Sequence, residues 1–227
     1  MAETTYRATH REYVGAMWEM EAEGLDVRQA RIADWLGVSR ASVSEMMRKL
    51  ADEGLVTLDP LGLTDDGRTL AEVTVRRHRL AERFLSEVLR LPWDKVHPEA
   101  EVWENVISDD VEAAMWAAMD DPKTCPHGNP IPGAGYTPPP MRAVADLEPG
   151  ERHPLERISE ELELDDEMMG YLDRSGLRPG ALVEIADRGP SGTLTVRVAD
   201  GASIGLSPFA AERLFVAVSP ARAEVDG

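Results

Sequence analysis

The chain has 227 residues, 43% of them hydrophobic, and a formal charge of −18. That length suits two or three small domains. The charge excludes a general binder of nucleic acid or anionic membrane, because like charges repel, but it leaves room for a local basic patch. One cysteine, Cys125, excludes an intramolecular disulfide, and no run reaches the ~18 apolar residues of a membrane span, so a cytoplasmic protein is expected.

The sequence from residue 9 to 80 reads as helical and partly basic. Within it, VRQARIADWLGVSRASVSEMMRKLADEGL (27–55) predicts two helices about a tight turn. Ile32, Ala33, Leu36, Val43, Met46, Met47 and Leu50 recur at helical spacing, Gly37 permits the turn, Ser39 caps the second helix and Gly54 stops it. This is a helix-turn-helix pattern, and a plain helical hairpin shares it. The second helix opens with Ser39, Arg40, Ala41, Ser42, Ser44 and Glu45, short or polar groups at the end that meets base edges. Arg28, Arg31, Arg40, Arg48 and Lys49 cluster here against the acidic background, as phosphate contact requires. Glu45 either accepts from a cytosine amino group or is simply solvated. LVTLDPLGLT (55–64) predicts two short strands and a turn, a small wing.

Residues 81–121 read as helical, acidic and apolar. His78 and Glu82 share a helix face at i,i+4, and His97 precedes the next helix. There Glu101, Glu104 and Asn105 share a face. Carboxylates aimed at one point repel unless a proton or cation sits between them. From spacing alone, a divalent metal site and a solvated acidic face both account for the pattern. Trp103, Val106, Ile107, Val111, Met115, Trp116 and Met119 form a stripe suited to a symmetric dimer interface, or to ordinary core. DPKTCPHGNPIPGAGYTPPP (121–140) is too rich in Pro and Gly for regular structure, and Cys125 and His127 read as part of a turn. Beyond it ALVEIADRG, GTLTVRVADG and ASIGLSP predict the short strands of a small barrel.

RRHRLAERFL, DKVHPEAEVWENVISDDVE and HGNPIPG, with the helix-turn-helix upstream, resemble the diphtheria-toxin-repressor family of metal-dependent transcription regulators. The resemblance implies a multi-domain α+β fold. Its parts are a winged helix-turn-helix domain (1–75), a helical metal-binding and dimerisation domain with a Pro-rich linker (76–140) and an SH3-like small β-barrel (141–227). It implies an ancillary metal site of His78, Glu82 and His97 with Glu160 and Glu163, the last of these replacing a neutral amide. It implies a primary site of Glu12, Glu101, Glu104 and Asn105. Two carboxylates stand where iron-dependent members carry sulfur, and oxygen donors suit Mn(II). Gly15 stands where manganese-responsive relatives carry a further glutamate, and Asn105 replaces a histidine. His10 and Asp165 are further candidates beside these sites. The function so implied is a homodimeric repressor on palindromic operator DNA, with Mn(II) as corepressor and Fe(II), Co(II) or another divalent metal in the alternative. An Fe(II)-dependent repressor of iron uptake is that alternative. No enzyme, membrane partner or small organic substrate is implied.

Overall fold

A computed structural model describes residues 6–198 and 202–218. The chain divides into two compact units. One comprises residues 1–81 and 99–121, the other 82–98 and 122–227, so that helices α4 (Asp65–Arg83) and α5 (Trp93–Trp103) each pass from one unit to the other.

The first unit begins with α1 (Ala8–Ala22), whose Tyr13, Val14, Met17 and Met20 are buried. α2 (Gln29–Trp35) and α3 (Arg40–Asp52) form the helix-turn-helix. Gly37 takes φ +63° at the turn between them, where a side chain would be strained. Ser39 caps α3 by accepting from the amide of Ser42. Ile32, Val43, Met47 and Leu50 join the α1 side chains in one core. Strands β1 (Val56–Leu58) and β2 (Leu61–Leu63) pair antiparallel as the wing, Leu58 opposite Leu61. α4 packs against the base of the wing: a Cβ at Gly67 would lie 1.9 Å from the carbonyl oxygen of Leu55, so only glycine fits. In α6 (Asp109–Ala118) Ser108 caps the first turn, where Asp109, Asp110 and Glu112 complement the helix dipole.

The expected apolar stripe of this unit is divided. Ile107 and Met115 are core, whereas Val106 and Val111 are 76% and 47% exposed, and Val102, outside the expected stripe, adds to them at 61%. An apolar row left to solvent on adjacent helices is what a dimer covers.

The second unit holds a six-stranded antiparallel sheet in the order β3-β8-β4-β5-β6-β7. Its strands are β3 (Met141–Ala143), β4 (Arg152–Ile158), β5 (Leu182–Arg188), β6 (Leu194–Arg197), β7 (Ser203–Leu206) and β8 (Leu214–Ala217). β4 and β5 are bulged, which lets the sheet curl as a small barrel does. Helices α7 (Glu160–Glu163), α8 (Asp166–Arg174) and α9 (Pro208–Ala211) lie between strands, and Leu155, Ile158, Leu172, Val183, Val196 and Val216 fill the interior.

The Pro-rich segment is not a bare tether. Cys125, His127 and Asn129 are fully buried. The amide of Ile158 donates to the carbonyl of His127 at 2.8 Å, and Asn129 Nδ2 donates to the carbonyl of Ile158 at 2.9 Å. Gly128, at φ +90°, passes so close to β4 that a Cβ would meet the Glu156 carbonyl oxygen at 2.1 Å. Proline and glycine excluded regular structure, but buried polar groups still found partners on the strand beside them.

Candidate metal centres and nucleic-acid interface

Two acidic clusters form, one in each unit. In the first unit Glu12 stands near the start of α1, Glu101 is in the last turn of α5, and Glu104 directly follows that helix, its amide donating to the Ala100 carbonyl at 2.9 Å. Partial desolvation by the surrounding protein, then the charges of Glu101 and Glu104, hold the Glu12 carboxyl above the usual carboxylate range. Glu104 is buried, and its Oε2 lies 2.9 Å from His78 Nδ1, a ring reaching from α4. Asn105 is exposed, and its Nδ2 donates to the Glu101 carbonyl at 2.9 Å, which leaves its amide oxygen as the donor atom. α1, α4 and the C-terminal end of α5 thus bring three carboxylates and an imidazole to one region, with the exposed Asn105 next in sequence to Glu104. Arg79, next to His78, meets Glu19 of α1 at 2.5 Å, both nearly sealed from water, so α1 and α4 are fastened together two turns beyond Glu12.

In the second unit Glu82, His97, Cys125, His127, Glu160 and Glu163 converge, every one of them buried. His127 Nδ1 lies 2.5 Å from Glu163 Oε2 and 3.4 Å from Glu82 Oε1. His97 Nδ1 lies 3.5 Å from Glu82 Oε1, 3.7 Å from Glu160 Oε1 and 3.9 Å from Glu163 Oε2. Ligand atoms of Glu82, Cys125 and His127 lie within 4.8 Å of one another, and those of His97, Glu160 and Glu163 form a second such group. The ring of Trp93 stands edge-on to His127, centroids 4.7 Å apart, and walls the cluster. Ser159 caps α7 and so aims Glu160 and Glu163 inward.

This cluster fits a cation. His127 Nε2 is buried with no hydrogen-bond partner, an atom that costs free energy unless something binds it. Burial opposes the His127 imidazolium, but the Glu82 charge and bonds to Cys125 and Glu82 raise its pKa to about 10. Burial and then the charges of Glu82 and Glu163 push the Cys125 thiol up to about 12. Only a strong local positive charge makes that thiol a thiolate.

His10 Nδ1 faces Glu53 at 3.4 Å, and its ring stands edge-on to that of Tyr6, centroids 6.3 Å apart. Asp165 caps α8 by accepting from the amide of Met168. Cys125 and His127 do lie at the turn read from the sequence, the Gly128 amide donating to the Cys125 carbonyl at 3.1 Å. What proline and glycine did not display is the burial of that turn beside Glu82 and Glu163.

The DNA-reading candidates lie on α3 and its approaches. Ser39, Arg40, Ala41, Ser42, Glu45 and Arg48 are exposed, Ser44 is half-buried, and Val43, Met47 and Leu50 point inward. Arg28 is exposed ahead of α2, and Arg31 is half-buried and donates to the Asp26 carbonyl at 2.8 Å. Among the described residues no helix is long and apolar enough to cross a membrane.

Comparison with known proteins bears on all of this. Residues 7–62 match the model of the iron dependent repressor N-terminal DNA binding domain, 64–133 that of the iron dependent repressor metal binding and dimerisation domain, and 142–218 that of the FeoA domain. The chain is 37% identical over 185 residues to the diphtheria toxin repressor of Corynebacterium efficiens, spanning 76% of this chain and 80% of the relative. It is 35% identical over 198 residues to the iron-dependent repressor IdeR of Mycobacterium tuberculosis, spanning 81% and 86%. Among solved structures, a manganese-dependent transcriptional repressor in complex with manganese superimposes with a TM-score of 0.79 at 36% identity, covering 91% of this chain and 98% of that one. The manganese regulator SloR does so with 0.73 at 27% identity, covering 92% and 98%.

Proposed function

Because the chain belongs to the diphtheria-toxin-repressor family of metal-dependent transcriptional repressors, we propose that Mn(II) is its corepressor and that it acts as a homodimer on a palindromic operator. The observation that carries this reading is the set of groups around Glu12: the carboxylates of Glu101 and Glu104, with His78 against Glu104 and no sulfur among them. Oxygen-rich sites suit Mn(II), whereas sulfur favours softer metals. A relative of known structure, at 36% identity, is a manganese-dependent repressor.

A divalent cation supplies the counter-charge that lets these carboxylates face one point. The residues do the rest. Glu12 sits at the head of α1, and Tyr13, Val14, Met17 and Met20 of the same helix enter the core that holds α2 and α3. Glu101 sits at the end of α5 and Glu104 in the turn after it, and the exposed Val102 and Val106 of the same stretch form the face assigned to the partner subunit. Drawing Glu12 toward Glu101 and Glu104 therefore fixes the reading head relative to the dimer face. In a dimer that sets two recognition helices about 34 Å apart, one duplex turn. Glu82, His97, Cys125, His127, Glu160 and Glu163 form the ancillary centre in this reading. His78, one turn before Glu82 on α4, is the further ligand expected of that centre, with its Nδ1 facing Glu104.

One observation favours the Fe(II)-responsive alternative. Cys125 brings sulfur to the ancillary cluster, and the curated relatives include iron-dependent repressors. A gel-shift titration of an operator duplex with Mn, Fe, Co, Ni and Zn decides between them. Activation by Mn(II) at lower free concentration than Fe(II) is expected; the reverse order overturns the manganese reading.

A further inference from the structure

We infer that Glu45 reads a cytosine in the major groove of each operator half-site and thereby sets part of this regulator's sequence preference. The inference rests on the DNA-binding reading above and goes beyond it to the base read.

Ala41, Glu45 and Arg48 fall at i, i+4 and i+7 on α3 and are all exposed, opposite the buried Val43, Met47 and Leu50. Ser39 anchors the first turn, so this stripe starts at a fixed, capped helix end. An acid on such a stripe commonly pairs with a base three or four residues on. Here Arg48 and Lys49 stand at those positions, yet among the described residues Glu45 forms no ion pair. Arg48 instead turns its Nε to the Ser44 carbonyl at 3.1 Å. The carboxylate thus stays free on a helix that would enter a field of phosphates, where it is repelled unless it receives a hydrogen bond.

The groove limits what can give one. An ionised carboxylate only accepts. The major groove offers donors at cytosine N4 and adenine N6 alone. Adenine sets its N7 acceptor beside N6, against the second carboxylate oxygen, whereas cytosine sets a C–H beside N4. Thymine at that position presents an O4 acceptor and repels the acid outright. Cytosine is the base that fits. Arg28, ahead of α2, and Arg40, the first residue of α3, are both exposed and supply the positive charge that holds the acid near the duplex.

The experiment is selection from a randomised duplex library with the full-length Mn(II)-loaded protein, followed by anisotropy titrations. Wild type should select a palindrome with cytosine at one position of each half-site, and changing that cytosine to thymine should weaken binding about ten-fold or more. Glu45→Gln, whose amide both donates and accepts, should move the preference at that position to adenine. Glu45→Ala should erase it there and nowhere else. The inference is overturned if both variants select the wild-type sequence and bind every duplex uniformly more tightly, as removal of a merely solvated acid would. A wild type that selects no sequence at all would instead overturn the operator-binding reading beneath it.

Discussion

His127 Nδ1 and Glu163 Oε2 lie 2.5 Å apart, and neither side chain has any exposure to solvent. The two come from a Pro-Gly loop and a four-residue helix, segments with little structure of their own. What holds them is a chain of polar contacts. Asn129 Nδ2 donates to Glu163 Oε1 at 2.6 Å and to the Ile158 carbonyl, while Arg157 donates to Asn129 Oδ1 at 3.4 Å. Asn129 is therefore the positioning residue of the loop. Asn129→Ala should destabilise the second unit by about 1–3 kcal/mol, the cost of leaving buried partners unsatisfied. Gly128→Ala should cost more, since the added Cβ strikes backbone that cannot move aside and φ is positive. Thermal unfolding of metal-free protein checks both. Equal melting of wild type and Gly128→Ala would show that the loop is not packed as described.

Cys125 allows the ancillary cluster to be seen directly. With its thiol pushed up to about 12, it is protonated at neutral pH in metal-free protein. Co(II) should draw off that proton and produce sulfur-to-cobalt charge-transfer absorption. Cys125→Ser should lose the band, while Glu12→Gln, altering the other cluster, should keep it. A band that persists in Cys125→Ser would remove sulfur from the proposed ligand set, since the chain has no second cysteine.

The contrast between the clusters tells which features a sequence displays. The helix-turn-helix is legible because Ile32, Val43, Met47 and Leu50 repeat at helical period, and because Ser39, Gly37 and Gly54 mark its turns by local chemistry. The nearness of Glu101 to Glu104 follows from one turn of helix. That Glu12 approaches both is tertiary, and it was carried by family resemblance. The burial of His127 had no such help: Pro126, Gly128 and Pro130 describe a turn equally well, and the hydrogen bond from Ile158 that sinks the loop spans some thirty residues. The apolar stripe was read as a whole, but its division into core (Ile107, Met115) and exposed face (Val106, Val111), and the addition of Val102 to that face, depend on which neighbours the fold brings, and periodicity does not supply those.

Metal choice follows from the donor atoms at the first cluster. Glu101→Cys together with Glu12→Met replaces two hard oxygens by sulfur. Operator binding by this variant should respond to Fe(II), Co(II) or Ni(II) at lower concentration than to Mn(II). An unchanged order of metals in gel shifts would refute the oxygen-donor argument.

Operator affinity should depend steeply on salt. The chain carries −18 overall, so binding has to come from the local basic groups, and each phosphate contact releases a counterion. Removing one contact by Arg40→Ala should lower the slope of log K against log salt by about 1 and weaken binding to all duplexes alike. A metal-loaded affinity that ignores added salt would exclude phosphate contact by Arg28, Arg31 and Arg40.

The last prediction concerns the share of the ancillary cluster that comes from α7. Glu160 and Glu163 are 4% and 0% exposed, and both face His97. Removing them leaves Glu82, His97, Cys125 and His127, two imidazoles with one carboxylate and one thiol. That set binds an oxygen-preferring cation less well and loses two negative charges. Glu160→Ala/Glu163→Ala should therefore bind less Mn per chain by calorimetry and need more Mn for half-maximal operator binding. Dimerisation should persist, because Val102, Val106 and Val111 are untouched. Asn129 loses its Glu163 acceptor in this variant, so a packing defect alone could imitate the effect. Glu160→Gln/Glu163→Gln separates the two causes: it keeps the side-chain volume and an amide oxygen to accept from Asn129 but removes the charge. If charge is what matters, the glutamine pair should melt close to wild type without metal and still bind less Mn. Wild-type Mn content and an unchanged activation midpoint in both variants would sink the proposal that α7 helps to hold the cation.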